Sequence, residues 1–77
     1  MAVPQGDAWI EQIFKGYRYP PKAVATGGIL RRKIESVMRY ASAEELQRAV
    51  ERRGYHLLVV GDQFVIICND GDFKVIC

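Results

Sequence analysis

The sequence predicts an α+β domain, three helices followed by a three-stranded antiparallel β-meander. Three observations carry that expectation. Apolar residues recur at helical spacing as far as Gly54, and from Tyr55 onward short runs rich in β-branched and aromatic residues replace them. The runs YHLLVV, QFVIIC and FKVIC are divided by Gly61-Asp62 and Asp70-Gly71, residue pairs suited to two-residue hairpin turns. The 77 residues make one small domain, 1–77, with a thin core.

The first helix is expected over residues 7–15. Asp7 is a candidate N-cap, Trp9, Ile10, Ile13 and Phe14 form one apolar stripe, and Gly16 can end the helix in the left-handed conformation. Residues 16–27 then read as an extended, proline-containing linker, because Pro20 and Pro21 remove two backbone donors and push Tyr19 into an extended shape. The second helix is expected over 28–41, with Leu30, Ile34, Val37, Met38 and Ala41 at 3.6-residue spacing. The third follows a capping box of Ser42 and Glu45, turns Leu46, Ala49 and Val50 inward, and closes at Gly54. Arg53 falls almost in line with Leu46, a position from which it would snorkel past the edge of the core.

The turns set the strand register. Val60 pairs with Gln63, Val59 with Phe64 and Leu57 with Ile66; in the second hairpin Asn69 pairs with Asp72 and Ile66 with Val75. One face is then wholly apolar and must cover the helices. The other has polar ends around an apolar centre of Leu58, Val60, Val65, Ile67 and Ile76. A cluster that large needs a cover. Either the first helix folds onto it or a second copy does, and on the second alternative these five residues form a self-association surface. The same register sets Cys68 and Cys77 roughly 13 Å apart at ~3.3 Å per residue, too far for a bridge, so both thiols should be free.

Charge is divided unevenly. Residues 1–41 hold seven cations (Lys15, Arg18, Lys22, Arg31, Arg32, Lys33 and Arg39) against Asp7, Glu11 and Glu35, a net of +4, whereas residues 42–77 carry −2. Such a split suits an anionic partner. Lys15-Gly-Tyr-Arg-Tyr-Pro-Pro-Lys22 interleaves rings with cations, which suits stacking on bases beside phosphate contacts. Gly27-Gly28 ahead of Arg31, Arg32 and Lys33 could open a basic helix whose free N–H groups favour a phosphate. His56 stands apart from any cysteine or carboxylate cluster and reads as a structural residue at the sheet edge. Asn69-Asp-Gly-Asp72 lacks the ligand ladder of a calcium loop and reads as a turn.

Two helices joined by a tight Ala-Ser turn and followed by a β-hairpin resemble the winged-helix proteins in element order, over most of residues 28–68. In that fold the third helix enters the major groove. Here it is nearly neutral, with Glu44, Glu45 and Glu51 against Arg48, Arg52 and Arg53, so the charges direct contact to the second helix and the loop before it. The part from Ser42 onward also resembles the HicA-type toxins of bacterial toxin–antitoxin pairs. Their catalytic Gly-Ser-His turn would fall at Gly61-Asp62-Gln63, which has no histidine, so the resemblance implies no ribonuclease activity.

Two functions follow as expectations. The first is a small nucleic-acid-binding regulator that holds DNA or RNA through Lys15, Arg18, Tyr19, Lys22, Arg31, Arg32, Lys33 and Arg39. The second is a non-enzymatic interaction module or inhibitor, of the phage or mobile-element kind, that binds an acidic protein or self-associates through the apolar sheet face. One histidine and scattered carboxylates assemble no acid, base and nucleophile set, so no enzyme is expected, and no cofactor or metal either. The start MAVPQGDAW has no basic head or apolar run of a signal peptide, and no apolar run approaches the ~20 residues that cross a bilayer. A cytoplasmic protein away from membranes is expected.

Overall fold

The computed structural model describes residues 4–16 and 21–77. Its elements are α1 (Asp7–Lys15), α2 (Lys22–Thr26), β1 (Ile29–Lys33), α3 (Ile34–Tyr40), α4 (Ala43–Arg52), β2 (His56–Val60) and β3 (Gln63–Ile67). The α+β class with a three-stranded antiparallel sheet holds, but the strands are recruited differently. The sheet order is β1-β3-β2, so β3 is central and its second neighbour comes from before the helix pair.

α1 has the bounds its apolar stripe predicts, and Ile10, Ile13 and Phe14 are buried. Its N-cap position is Gly6, at φ 61°, which makes no side-chain cap; Asp7 instead sits in the first turn, where its charge suits the helix dipole. The Gly6 N–H donates to the Tyr40 carbonyl at 2.6 Å and ties the start of α1 to the end of α3. Residues 22–26 of the expected linker are the short helix α2, which starts on Pro21 and stops at Gly27 in the left-handed conformation, φ 73°. Proline suits a helix start because its missing N–H has no intrahelical partner there.

The expected helix 28–41 divides at Lys33. Its first part is strand β1, paired along its length with β3 from Ile29 opposite Ile67 to Lys33 opposite Gln63. Leu30 points inward under either conformation, so burial of this one side chain does not choose between them. Pairing chooses: β3 has one free edge beyond β2, and the ladder continues past the strand as the Cys68 N–H donates to the Gly28 carbonyl at 2.8 Å. α3 keeps the second part, with Val37 fully buried, but Met38, expected to face inward, is 56% exposed.

α4 follows the reading closely. Ser42 Oγ accepts from the Glu45 N–H at 3.1 Å, and Leu46, Ala49 and Val50 are buried. The β2–β3 hairpin turns at Gly61, φ 61°, with the register the turn predicts.

The expected third strand of the meander, residues 73–77, has no partner strand. Asn69 prevents the second hairpin. Its Nδ2 donates to the Gly27 carbonyl at 2.8 Å and its Oδ1 accepts from the Gly71 N–H at 3.0 Å, so the chain is fastened beside β1, where the third strand would have lain. Both thiols are free, Cys68 buried and Cys77 exposed.

The core lies on one side of the sheet. It joins Ile10, Ile13 and Phe14 of α1, Leu30, Val37, the inner face of α4, Phe64, Ile66 and Cys68. α1 packs against α4. The first helix therefore belongs to the core side, which removes it as the cover for the opposite face of the sheet.

Candidate nucleic-acid interface

Strand alternation sorts the basic run Arg31-Arg32-Lys33 onto two sides. Arg31 and Lys33 point to the open face of the sheet, opposite Val65 and Gln63 of β3, and both are exposed. Arg32 points the other way. It is half-buried, lines a small cavity with Trp9, Gln12 and Ile13, and donates to the Arg31 carbonyl at 2.6 Å. On a helix the three would have shared a broad basic surface; on β1 two of them face one way.

The phosphate site expected at the start of a basic helix is absent, because Gly27 and Gly28 precede a strand. Their backbone groups are already engaged: the Gly28 N–H donates to Ala23, and the Gly27 and Gly28 carbonyls accept from Asn69 and Cys68. The remaining expected cations stand on three separate helices. Lys22 is exposed in the first turn of α2, which packs against β1; Arg39 is exposed in the last turn of α3, its guanidinium 5.9 Å from the centre of the Tyr40 ring; Lys15 is exposed at the end of α1. Arg18 and Tyr19 lie outside the described residues.

Ion pairing separates these cations from those of α4. Among the described residues the ion pairs are Arg53–Glu11 at 2.6 Å and Arg52–Glu11 at 3.7 Å. The Arg53 guanidinium also lies 4.1 Å from the centre of the Phe14 ring. Its hydrogen bond holds the Glu11 carboxyl below the ordinary glutamate value, against an opposing push from burial. Among the described residues, Lys15, Lys22, Arg31, Arg32, Lys33 and Arg39 have no such partner.

The open face carries Ile29, Arg31 and Lys33 of β1, His56, Leu58 and Val60 of β2, and Gln63, Val65 and Ile67 of β3. Four of the five residues expected to form a self-association surface, Leu58, Val60, Val65 and Ile67, lie together here. The fifth, Ile76, does not: it stands off the sheet in the C-terminal segment, 88% exposed. Ile29 takes its place at the other edge, 53% exposed.

His56 stands at the sheet edge, as expected. Its Nε2 is 2.7 Å from the Gly71 carbonyl and its ring meets the edge of Phe73 at 5.2 Å. A groove of about 520 Å³ between α4 and β2 is the feature that sequence reasoning missed; Gln47, Val50, Leu57, Val59, Phe64 and Phe73 are among its walls. It opens where α4 passes the edge of β2, which carries no further strand. Among the described residues no three His, Cys, Asp or Glu side chains gather where they could hold a metal ion, and no helix is long and apolar enough to cross a membrane. Compared with protein-family models, curated proteins and solved structures, the chain matches none.

Proposed function

We propose that this domain is a small, non-enzymatic nucleic-acid-binding regulator that grips the phosphate backbone of DNA or RNA with β1 and the elements packed on it. The observation that carries the reading is the pair Arg31 and Lys33, two exposed side chains on one face of a strand, without ion-pair partners among the described residues. Successive outward residues on a strand are about 6.6 Å apart, close to the spacing of phosphates along a nucleic-acid strand. Lys22 and Arg39, on helices that pack against β1, would widen the contact. The element order supports the reading by resemblance, since a strand, two helices joined by Ala41-Ser42 and a hairpin compose one sheet-backed helix pair, as in winged-helix proteins. α4 is an unsuitable groove reader, because Arg52 and Arg53 are engaged with Glu11 and the helix carries acids on its exposed side.

The test is fluorescence anisotropy of labelled duplex DNA and of an RNA hairpin across a salt series. Replacing both Arg31 and Lys33 by Ala should weaken binding about tenfold and flatten the log–log salt slope by about two units, at ~0.9 per lost phosphate contact. The double change Arg48→Ala, Arg52→Ala should do much less. A second reading, a protein-interaction module, is favoured by the apolar part of the open face, where Ile29 and Val60 are more than half exposed. Absence of nucleic-acid binding at low salt and high micromolar protein would give the function to that reading.

A further inference from the structure

The groove beside β2 combines three features that belong together. First, β2 is an edge strand with an unused row of backbone groups. In its hairpin Val60, Leu58 and His56 face Gln63, Val65 and Ile67 as the hydrogen-bonded pairs next to a two-residue turn, so Leu57 and Val59 direct their N–H and C=O groups away from the sheet. Second, the wall of the groove is core-like but uncovered: Val59 is on the same side as buried Phe64 and Ile66, yet is 62% exposed. Third, residues 73–77 have the composition of a strand and pair with no strand among the described residues. Phe73 is 46%, Val75 79% and Ile76 88% exposed.

Alternation sets the parity. Along an extended segment Phe73, Val75 and Cys77 share one apolar side, whereas Lys74 and Ile76 fall on the other. This is the pattern that a fourth strand at the β2 edge requires: apolar side chains over Leu57 and Val59, and one more apolar residue continuing the exposed cluster.

We propose that residues 73–77 dock as a strand on the β2 edge of a second copy of this chain, and that the exchange is reciprocal. The C-terminal segment of the same chain enters at the first residue of β2, where Gly71 is held by His56, so there it could run only parallel to β2. A segment from another copy can run antiparallel, with the stronger ladder. Because each copy holds both the segment and the edge, a two-fold axis satisfies both at once. This interface is separate from the basic strand β1, which lies on the far edge of the sheet, so its test is independent of nucleic-acid binding.

The experiment uses the full chain under reducing conditions, with sedimentation equilibrium from low to high micromolar protein. The expected result is a reversible dimer. Val75→Asp, which sets a charge in the groove, and Val59→Pro, which removes an N–H that no ladder bond uses in the single chain, should each raise the dissociation constant by at least about tenfold. Far-UV circular dichroism and the melting temperature of the dilute monomer should stay unchanged in Val75→Asp, which keeps the result readable if Val59→Pro disturbs the hairpin. In a mixture of isotope-labelled and unlabelled copies, nuclear Overhauser contacts should join Val75 of one to Leu57 or Val59 of the other. The proposal is overturned by a monomer at high micromolar concentration, by such contacts within one copy only, or by a dimer that Val65→Lys splits and Val75→Asp does not.

Discussion

Arg53 lies in line with the buried face of α4, and a cation in that position must either leave the core or find partners there. It finds two, the Glu11 carboxylate and the Phe14 ring, both from α1. The side chain stays 24% exposed, so it keeps part of its hydration at the junction of α1 and α4. A pH dependence follows from the depressed Glu11 pKa. A carboxyl that gives up its proton more readily when folded contributes stability above its unfolded pKa, and that contribution is lost as the pH falls through the folded value. Glu11→Gln should therefore destabilise by about 1 kcal/mol at neutral pH, the size of a partly exposed charge-assisted bond. Urea unfolding of the two proteins should converge once the pH drops below the ordinary glutamate range. The sequence pointed to the exposed end of α4 for Arg53 but not to Glu11, because the partner is 42 residues away.

Segment 28–41 shows what local pattern can and cannot reveal about an element. Its apolar spacing is helical from end to end, and the half with no strand partner, α3, is a helix. The other half meets β3, and pairing with a central strand outweighs the local preference. Nothing within residues 28–33 announces β3. The signal lay at a distance, in the fact that only one of two candidate segments could take the free edge. Gly27 and Asn69 decide the contest in favour of β1, since the left-handed turn at Gly27 aims the chain into the sheet and Asn69 grips its carbonyl. A β-carbon at Gly27 would stand 3.4 Å from the Asn69 Cβ, in a backbone conformation that L residues rarely adopt. Gly27→Ala should cost about 1–2 kcal/mol. Gly61→Ala carries the same kind of backbone strain but has nothing within 4 Å of the added carbon, so it should cost less. Chemical denaturation of the two variants side by side checks the order.

At the scale of the molecule, the uneven charge of the sequence becomes a separation in space. The acids and arginines of α4 are balanced on the helix side, whereas Arg31 and Lys33 stand on the opposite face of the sheet. The basic character of the 15–39 stretch was legible from composition. Which of its cations share a face was not, because helical and strand parity group Arg31, Arg32 and Lys33 differently. The apolar cluster Leu58, Val60, Val65 and Ile67 was legible because it depends on one hairpin whose turn residues fix its register. The groove depends on how α4 packs beside β2, which no local pattern announces.

The placement of β1 in the sheet also orders events in time. β2 and β3 meet through a two-residue turn and α3 meets α4 through Ala41-Ser42, whereas β1 must close on β3 across about thirty residues. Loop closure of that length costs chain entropy before any contact is gained, so local units form early and β1 closes the sheet late. Leu30→Ala, in the buried centre of β1, should chiefly accelerate unfolding and leave the refolding rate almost unchanged in stopped-flow experiments. Leu46→Ala in α4 should slow refolding. The basic strand would then be the last part of the fold to arrive and the first to leave. A polyanion that grips β1 would lengthen the lifetime of the whole domain against proteolysis, beyond any effect on where the domain resides.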